Sequence, residues 1–237
     1  MSFATITSDF KLNISDIQDQ FEIFLTMNGT KKMISIGGWA FSTDPATASR
    51  FRDSMSAANR ATFISNLVLF LEAHSSIEGF DFDWEYPGAD MPGLPPGTPR
   101  DGIDYLSFIQ DLRRALPTRA LSIATPSTYW NLQHFQIREM MKYLDFTLYM
   151  TYDYSGQWNY GEKDSVEGCP NGNCLRAHGN LTETVQSLAM ITKAGVPSYK
   201  VIPGLANYGR SFQMTDPNCN GPMCTFTGPL SVRSLFP

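Results

Sequence analysis

Residues 79–87, Gly-Phe-Asp-Phe-Asp-Trp-Glu-Tyr-Pro, are the stretch from which the fold of this chain is most readily inferred. Side chains alternate between the two faces of a strand, so Asp81, Asp83 and Glu85 share one face and the apolar residues between them share the other. An ordinary half-exposed strand would place such acids in water. The rest of the sequence favours a different environment.

Short β-rich apolar runs alternate with longer helical patterns along the chain, which is typical of repeated βα units and a parallel sheet. The predicted strands are Lys32–Gly37, Gly79–Trp84, Leu121–Thr125, Asp145–Thr151 and Lys200–Leu205, with a sixth near Phe3–Thr7. Parallel strands of such sheets are buried on both faces. The three acids are therefore expected inside the protein, where they are costly unless chemistry or partners require them.

Apolar residues at helical spacing predict helices around Phe63–Leu71, Tyr105–Leu112 and Ile137–Tyr143. The stretch Thr182–Ala194 begins with a capping residue and ends before Gly195, which predicts another helix. The segment Pro87–Thr98 follows a strand, is rich in proline and glycine, and is predicted to be a loop. In α/β barrels the loops that follow strands carry the functional residues.

Composition excludes several classes of protein. The 237 residues include 18 Lys and Arg against 23 Asp and Glu, a net charge of −5, and no basic run, which argues against nucleic acid as the main partner. With 42% hydrophobic and 13% aromatic residues, the chain is not expected to be disordered. We find no apolar stretch of about 18 residues, so no membrane span or membrane partner is expected.

The four cysteines form two close pairs, Cys169 with Cys174 and Cys219 with Cys224, each enclosing Gly, Pro and Asn. Such turn residues allow two nearby thiols to meet, and we favour the two local disulfides over the other pairings. A zinc site is the rival interpretation, but the spacings are longer than in zinc fingers and no histidine cluster lies nearby. Free thiols are the third alternative.

Three glycosylation triplets and the paired cysteines favour an extracellular, secreted glycoprotein. The triplets begin at Asn13, Asn28 and Asn180. The first residues show no charged leader followed by an apolar core, so this chain carries no visible signal peptide. A truncated N-terminus would reconcile the two observations.

The row of three acids, Asp81, Asp83 and Glu85, itself predicts proton transfer. Neighbouring like charges cannot all ionise cheaply, so at least one of the carboxyl groups is expected to stay protonated near neutral pH. Glu85 lies at the C-terminal end of the strand and is the natural proton donor. Asp83, about 6–7 Å away, lies on the same side of any bound sugar. Two carboxylates on opposite sides of a glycosidic bond are therefore not supplied by this strand. Either a second acid comes from elsewhere or the substrate provides its own nucleophile.

Four motifs in sequence resemble those of glycoside hydrolase family 18, the chitinases. They are Asp81–Pro87, Ser35–Trp39, Met150–Tyr154 and Tyr208–Arg210. Three further stretches look most like the fungal killer-toxin-like subgroup: 168–173, 174–181 and 215–228. The resemblance implies a TIM-type (β/α)8 barrel and a chitinase that hydrolyses β-1,4-linked N-acetylglucosamine polymers, with no cofactor and no metal. Chitin or N-acetylglucosamine oligosaccharides are the implied partners; a protein partner is not indicated.

The resemblance also implies roles for individual residues, since this family is a substrate-assisted exception to the two-carboxylate rule. Glu85 would protonate the leaving oxygen and later activate water, while the sugar's own acetamido oxygen attacks the anomeric carbon. Asp83 would orient the acetamido group and stabilise positive charge, and Asp81 would share a proton with Asp83. Tyr152 would donate to the acetamido oxygen, and Asp153 would contact the sugar nearby.

Further substrate contacts are assigned from their places in the motifs: Met150, Trp39, Trp158, Tyr208, Arg210 and Tyr86. Core filling is the alternative for the tryptophans and for Met150, and pairing with an acid is the alternative for Arg210. Trp84 points away from the acids and is expected in the core. The three histidines, His74, His134 and His178, lie on no shared motif and are expected to have surface or core roles.

The match to the family breaks in two respects. Glu78 stands where the signature usually has Asp, and we expect its longer side chain still to satisfy the structural hydrogen bonds. The family's first and eighth strands, and the tryptophan on the eighth, have no counterpart in this chain. We therefore expect an incomplete barrel, truncated at both ends, over residues 1–213. Residues 214–237 are predicted to begin an inserted small domain or to form a divergent tail.

These departures leave the activity of the chain open at the level of sequence. A chitin-binding lectin or inactive pseudoenzyme fragment is one alternative, although the retained Glu85 favours catalysis. An endo-β-N-acetylglucosaminidase acting on N-linked glycans is another, because the catalytic motif is shared.

Overall fold

The computed structural model describes residues 1–163 and 167–228 of the chain. Strands in these ranges are β1 (Thr5–Ile6), β2 (Leu12–Asn13), β3 (Met33–Gly37), β4 (Gly79–Asp83), β5 (Ala120–Pro126), β6 (Phe146–Met150) and β7 (Val201–Pro203). The last five form one sheet in the order β3-β4-β5-β6-β7, so each strand lies beside its successor in sequence. The five predicted strands are confirmed, with β7 shorter than predicted.

The segment predicted as the sixth strand pairs partly with β3 and partly with β2. Ala4 forms an isolated parallel bridge with Ile36 of β3, and its N–H donates to the carbonyl oxygen of Ser35 at 2.9 Å. The next two residues, β1, instead pair antiparallel with β2. The N-terminal segment therefore hydrogen-bonds to the edge of β3 through Met1 and Ala4 and then turns into a short hairpin.

Helices connect the parallel strands. They are α1 (Gln18–Thr26), α2 (Trp39–Thr43), α3 (Arg50–Met55), α4 (Arg60–Ala73), α5 (Pro99–Ala115), α6 (Tyr129–Leu132), α7 (Ile137–Met140) and α8 (Leu181–Lys193). The four predicted helices are confirmed as α4, α5, α7 and α8, although α7 ends at Met140 and is shorter than predicted. The others are only 4–9 residues long, too short to show several turns of helical periodicity. The stretch 87–98 contains no helix or strand, as predicted.

The apolar face of β4 packs against α4 and α5 through aromatic rings. Phe82 meets Phe108 of α5 edge-on, with ring centroids 5.1 Å apart, and Phe108 stacks on Phe63 of α4 at 5.2 Å. All three rings are fully buried. Burying a large apolar side chain contributes roughly 1.5–3 kcal/mol, so this cluster fixes which face of β4 carries the acids.

The chain divides into two compact units. One comprises Met1–Tyr149 with Met190–Pro203, and the other comprises Met150–Ala189 with the residues from Gly204 onward. The predicted boundary at residue 213 stays a prediction, and residues 229–237 lie outside the described ranges. Among the described residues, no helix is both long enough and apolar enough to cross a membrane.

Both predicted disulfides are present in the second unit. Cys169 bonds to Cys174 and Cys219 bonds to Cys224. A bridge between Cys174 and Thr225 brings the two disulfide-bonded loops together within this unit. The covalent links thus stabilise a region that has little regular secondary structure.

Candidate functional site

The three acids of residues 79–87 lie inside the first unit. Every residue of β4 is buried, so both faces of this strand are covered, as expected for a parallel sheet. Asp81 and Asp83 are 5% and 7% exposed, and Glu85, two residues beyond the strand end, is 9% exposed. The interpretation of the row as a solvated strand face is therefore excluded.

Asp81, the innermost acid, is satisfied by two hydroxyl groups. The parallel register places Ser35 of β3 and Ser122 of β5 on either side of it. Each serine Oγ donates to one carboxylate oxygen at 2.7 Å. Burial raises the pKa of Asp81, and these two hydrogen bonds oppose the shift.

Asp83, the middle acid, lacks such support. Its Oδ1 atom is buried and has no hydrogen-bond partner among the described residues. Burial, followed by the nearby charges of Glu85 and Asp81, raises the pKa of Asp83 to about 8. The three acids, which titrate together, therefore retain a proton at neutral pH, as the sequence predicts for at least one of them.

Glu85, the outermost acid, borders a small pocket. Its backbone N–H donates to Ser42 Oγ at 3.0 Å. A small pocket of about 20 Å³, room for about one water molecule, is lined by Glu85, Ser42, Arg52 and Tyr86, among others. The outermost acid thus borders a space that the two inner acids do not line.

The opposite face of the strand is apolar, as predicted for Trp84. The Trp84 ring is 4% exposed and stacks on Phe51 at a centroid distance of 5.6 Å. On its other side it packs against Tyr105 at 5.5 Å. Burial, together with the charges of Asp81 and Asp83, raises the pKa of the Tyr105 hydroxyl well above its usual value, so that group stays neutral.

In the second unit, Asp153 is the centre of a polar cluster. Arg210 Nε donates to Asp153 Oδ1 at 2.9 Å, and Nη2 lies 2.5 Å from Oδ2. The Tyr208 hydroxyl donates to the same carboxylate at 2.7 Å. Burial and this hydrogen bond raise the pKa of Tyr208. Pairing with an acid, one of the two alternatives for Arg210, is therefore observed; its contact with substrate stays a prediction.

His178 also belongs to this cluster, although it lies in no motif that would have pointed to it. Its Nδ1 lies 3.1 Å from Asp153 Oδ1, and its Nε2 lies 3.0 Å from the carbonyl oxygen of Tyr208. The ring stacks on the Tyr208 ring at 5.0 Å. Since a carbonyl oxygen only accepts, Nε2 carries the hydrogen. His178 thus joins two segments that contain motif residues.

The aromatic candidates are accessible. Trp39, the first residue of α2, is 57% exposed and therefore does not fill the core. Trp158 is 44% exposed, and the Arg210 guanidinium lies 4.9 Å from its ring centroid. The Tyr152 ring packs edge-on against Tyr208 at 6.1 Å. Met150 ends β6, and both Met150 and Tyr86 are half-buried.

Glu78 satisfies the structural role expected for it, because its Oε2 accepts the backbone N–H of Lys32 at 3.0 Å. The part of the chain that the structure describes contains no group of three or more His, Cys, Asp or Glu side chains arranged to hold a metal ion.

Comparison with known proteins gives a consistent match. The sequence profile described as "Glycosyl hydrolases family 18" matches residues 1–234. The chain is 46% identical over 229 residues to the "Secreted chitinase LysM12" of Penicillium expansum, covering 95% of this chain and 15% of that protein. It is 40% identical over 228 residues to the "Killer toxin subunits alpha/beta" of Kluyveromyces lactis, covering 95% of this chain and 19% of that protein.

Among solved structures, the catalytic domain 2 of an Ostrinia furnacalis Group II chitinase superimposes with a TM-score of 0.76. That likeness covers 95% of this chain and 60% of the other at 23% identity, and it is a likeness of fold. The chain spans less than a fifth of the length of the two curated relatives just described.

Proposed function

The chain belongs to glycosyl hydrolase family 18, and from this membership we propose that it acts as a chitinase on β-1,4-linked N-acetylglucosamine polymers. The family and the shared fold confirm the sequence prediction of a TIM-type (β/α)8 architecture, of which the described residues hold a five-stranded parallel sheet. The similarity to fungal chitinases and killer-toxin subunits that the sequence indicated is also confirmed.

One observation supports the proposal more than any other: three buried acids lie in a row, and the outermost of them, Glu85, borders a small pocket at the C-terminal end of β4. Burying three neighbouring carboxyl groups is costly in a protein interior, and a binding protein does not need them. This cost favours catalysis over the lectin alternative. Arranging such groups so that their protonation states differ is a general feature of acid–base sites.

The proposed reaction proceeds in two steps. In the first, Glu85 donates a proton to the glycosidic oxygen as the C–O bond breaks, and the substrate's 2-acetamido oxygen bonds to the anomeric carbon. In the second, Glu85 accepts a proton from water as that water opens the oxazolinium ion. The configuration at the anomeric carbon is inverted twice and is thus retained.

The inner acids support these steps. When protonated, Asp83 carries both a hydrogen-bond donor and an acceptor. When its proton moves to Asp81, the Asp83 carboxylate stabilises positive charge on the sugar. Asp81, held by two serines, fixes one end of the row. From their motifs, we propose that Tyr152 donates to the acetamido oxygen. We also propose that Asp153, Met150, Trp39, Trp158, Tyr208, Arg210 and Tyr86 contact the substrate.

The test is hydrolysis of the N-acetylglucosamine tetramer by the Glu85→Gln variant. Glutamine keeps the shape of the side chain but cannot donate the proton, so we expect the rate to fall by about 100-fold or more. Glu72→Gln, at an exposed glutamate of α4, is the matched control and should leave the rate unchanged. Equal rates for wild type and Glu85→Gln would overturn the proposal.

We further propose that the protein works outside the cell. Two disulfides are stable in oxidising compartments, and a relative carries the word "secreted" in its name. Mass spectrometry of culture medium and cell extract from the native organism tests this proposal. Recovery of the chain mainly from the extract with reduced cysteines would contradict it.

A further inference from the structure

We propose that Arg52 and Asp101 are positioning residues that hold the main chain around Glu85 in the geometry required for proton donation. The inference rests on the proposed function in one respect, the role of Glu85 as the acid. Neither residue lies in the four motifs that the sequence shares with the family, and neither is one of the candidate substrate contacts. Both belong to the first unit.

The two side chains form a bidentate pair. Arg52 of α3 donates from Nε to Asp101 Oδ1 at 3.0 Å and from Nη2 to Oδ2 at 2.9 Å. The Asp101 side chain is only 1% exposed. Burial opposes ionisation, yet the hydrogen bonds from Arg52 and Thr98 hold the pKa of Asp101 below its usual value. Two parallel N–H···O bonds fix direction as well as distance.

The Asp101 carboxylate also holds both ends of the loop that follows β4. Its Oδ2 accepts the backbone N–H of Gly88 at 3.0 Å, three residues after Glu85. Its Oδ1 accepts the Thr98 hydroxyl at 2.8 Å, one residue before α5 begins. One carboxylate therefore closes the loop 88–98, and Arg52 fixes that carboxylate to α3.

The same short helix holds the chain on the other side of Glu85. Phe51, next to Arg52, stacks on Trp84 with an interplanar angle of 16°. Between these two points, the N–H of Glu85 itself donates to Ser42. The chain around Glu85 is thus held by the Trp84 ring and by the backbone N–H groups of Glu85 and Gly88, and two of these three contacts lead back to α3.

A purely structural role explains the pair poorly. The Asp101 side chain is 1% exposed and the Arg52 side chain is 31% exposed, so the cost of desolvating the carboxylate offsets much of the attraction between the two charges. What the pair adds is a fixed direction. Proton transfer depends on such a direction, since a displacement of about 1 Å in a reacting group can cost on the order of 100-fold in rate.

The test compares Arg52→Gln and Arg52→Lys with Arg100→Gln. Arg100 is a matched control because it pairs with Asp104 on the same helix as Asp101, but its side chain is 65% exposed. Two substrates separate positioning from folding: the N-acetylglucosamine tetramer, and an N-acetylglucosamine oligomer carrying a 2,4-dinitrophenolate leaving group, which departs without a proton. Hydrogen exchange of peptides covering residues 85–98 gives a readout that does not need activity.

We expect Arg52→Gln to lower kcat on the tetramer by about 10- to 100-fold with KM changed less than about twofold. On the activated substrate the loss should be several-fold smaller, and exchange in 85–98 should be faster. Arg52→Lys keeps the positive charge but cannot make the two parallel hydrogen bonds to Asp101, so its kcat should lie between those of Arg52→Gln and wild type. Arg100→Gln should match wild type throughout.

Equal losses on both substrates, or unchanged exchange in 85–98, would overturn the proposal. The proposed function fails separately. If wild type hydrolyses neither substrate, while Arg52→Gln still speeds exchange in 85–98 and Arg100→Gln does not, the pair positions this segment and the assigned chemistry is wrong.

Discussion

The substitution Asp83→Asn tests the physical state of the acid row without any substrate. Asp83 has its pKa raised from 3.8 to about 8 in the folded protein. Between these two values the folded state holds a proton that the unfolded state has released. Stability must therefore fall as the pH rises from about 4 to about 8 and level off above that. Asparagine has no such proton, so the variant lacks this contribution.

The size of the effect follows from the shift. One pH unit corresponds to 1.36 kcal/mol, and a shift of about four units gives an upper limit of about 6 kcal/mol. Because Glu85 and Asp81 share the titration, we expect the difference in unfolding free energy between variant and wild type to grow by about 3–6 kcal/mol from pH 4 to pH 8. Relative to wild type, the unfolding free energy of the Asp83→Asn variant therefore increases with pH.

Urea unfolding followed by tryptophan fluorescence at a series of pH values measures this difference directly. Asp16→Asn, at an exposed aspartate near the N-terminus, is the control, and its curve should stay parallel to that of wild type. If the Asp83→Asn and wild-type curves also stay parallel from pH 4 to pH 8, Asp83 is ionised in the folded protein and the reasoning is refuted.

Three further predictions concern packing, covalent links and the second unit. Phe108→Ala should cost about 3–5 kcal/mol of unfolding free energy, whereas the exposed Leu69→Ala should stay within about 0.5 kcal/mol; similar values for both would contradict the core described above. Replacing both Cys169 and Cys174 by serine removes a cross-link that restricts the unfolded chain, and should lower the unfolding free energy by about 2 kcal/mol in the same assay. An unchanged unfolding free energy would contradict this stabilising role. His178→Ala should raise KM for the tetramer roughly fivefold with little change in kcat, and an unchanged KM would separate His178 from substrate binding.

The sequence was sufficient to predict the central sheet, because buried parallel strands are short apolar runs bounded by turn residues. The same alternation assigned Asp81, Asp83 and Glu85 to one face, and the structure buries all three. The short helices α2 and α3 could not be predicted in this way, since one or two turns do not produce a recognisable period.

The contacts that complete the site depend on register and on distant segments. Ser35 and Ser122 lie beside Asp81 only because the parallel pairing aligns the three residues at one level of the sheet. His178 is 25 residues from Asp153, and Arg52 is 49 residues from Asp101. No local spacing encodes such pairs, so the sequence left an acidic partner as one of two alternatives for Arg210 and predicted no partner for Arg52.

The anomeric form of the first product tests the central claim most directly. Proton NMR, recorded within the first minutes of hydrolysis of the N-acetylglucosamine tetramer, distinguishes the newly formed β-anomer from the α-anomer before they equilibrate. Glu85 acting with the substrate's own acetamido group predicts that the β-anomer appears first. Initial formation of the α-anomer would mean that water attacks directly with a second carboxylate as base, and would contradict the account.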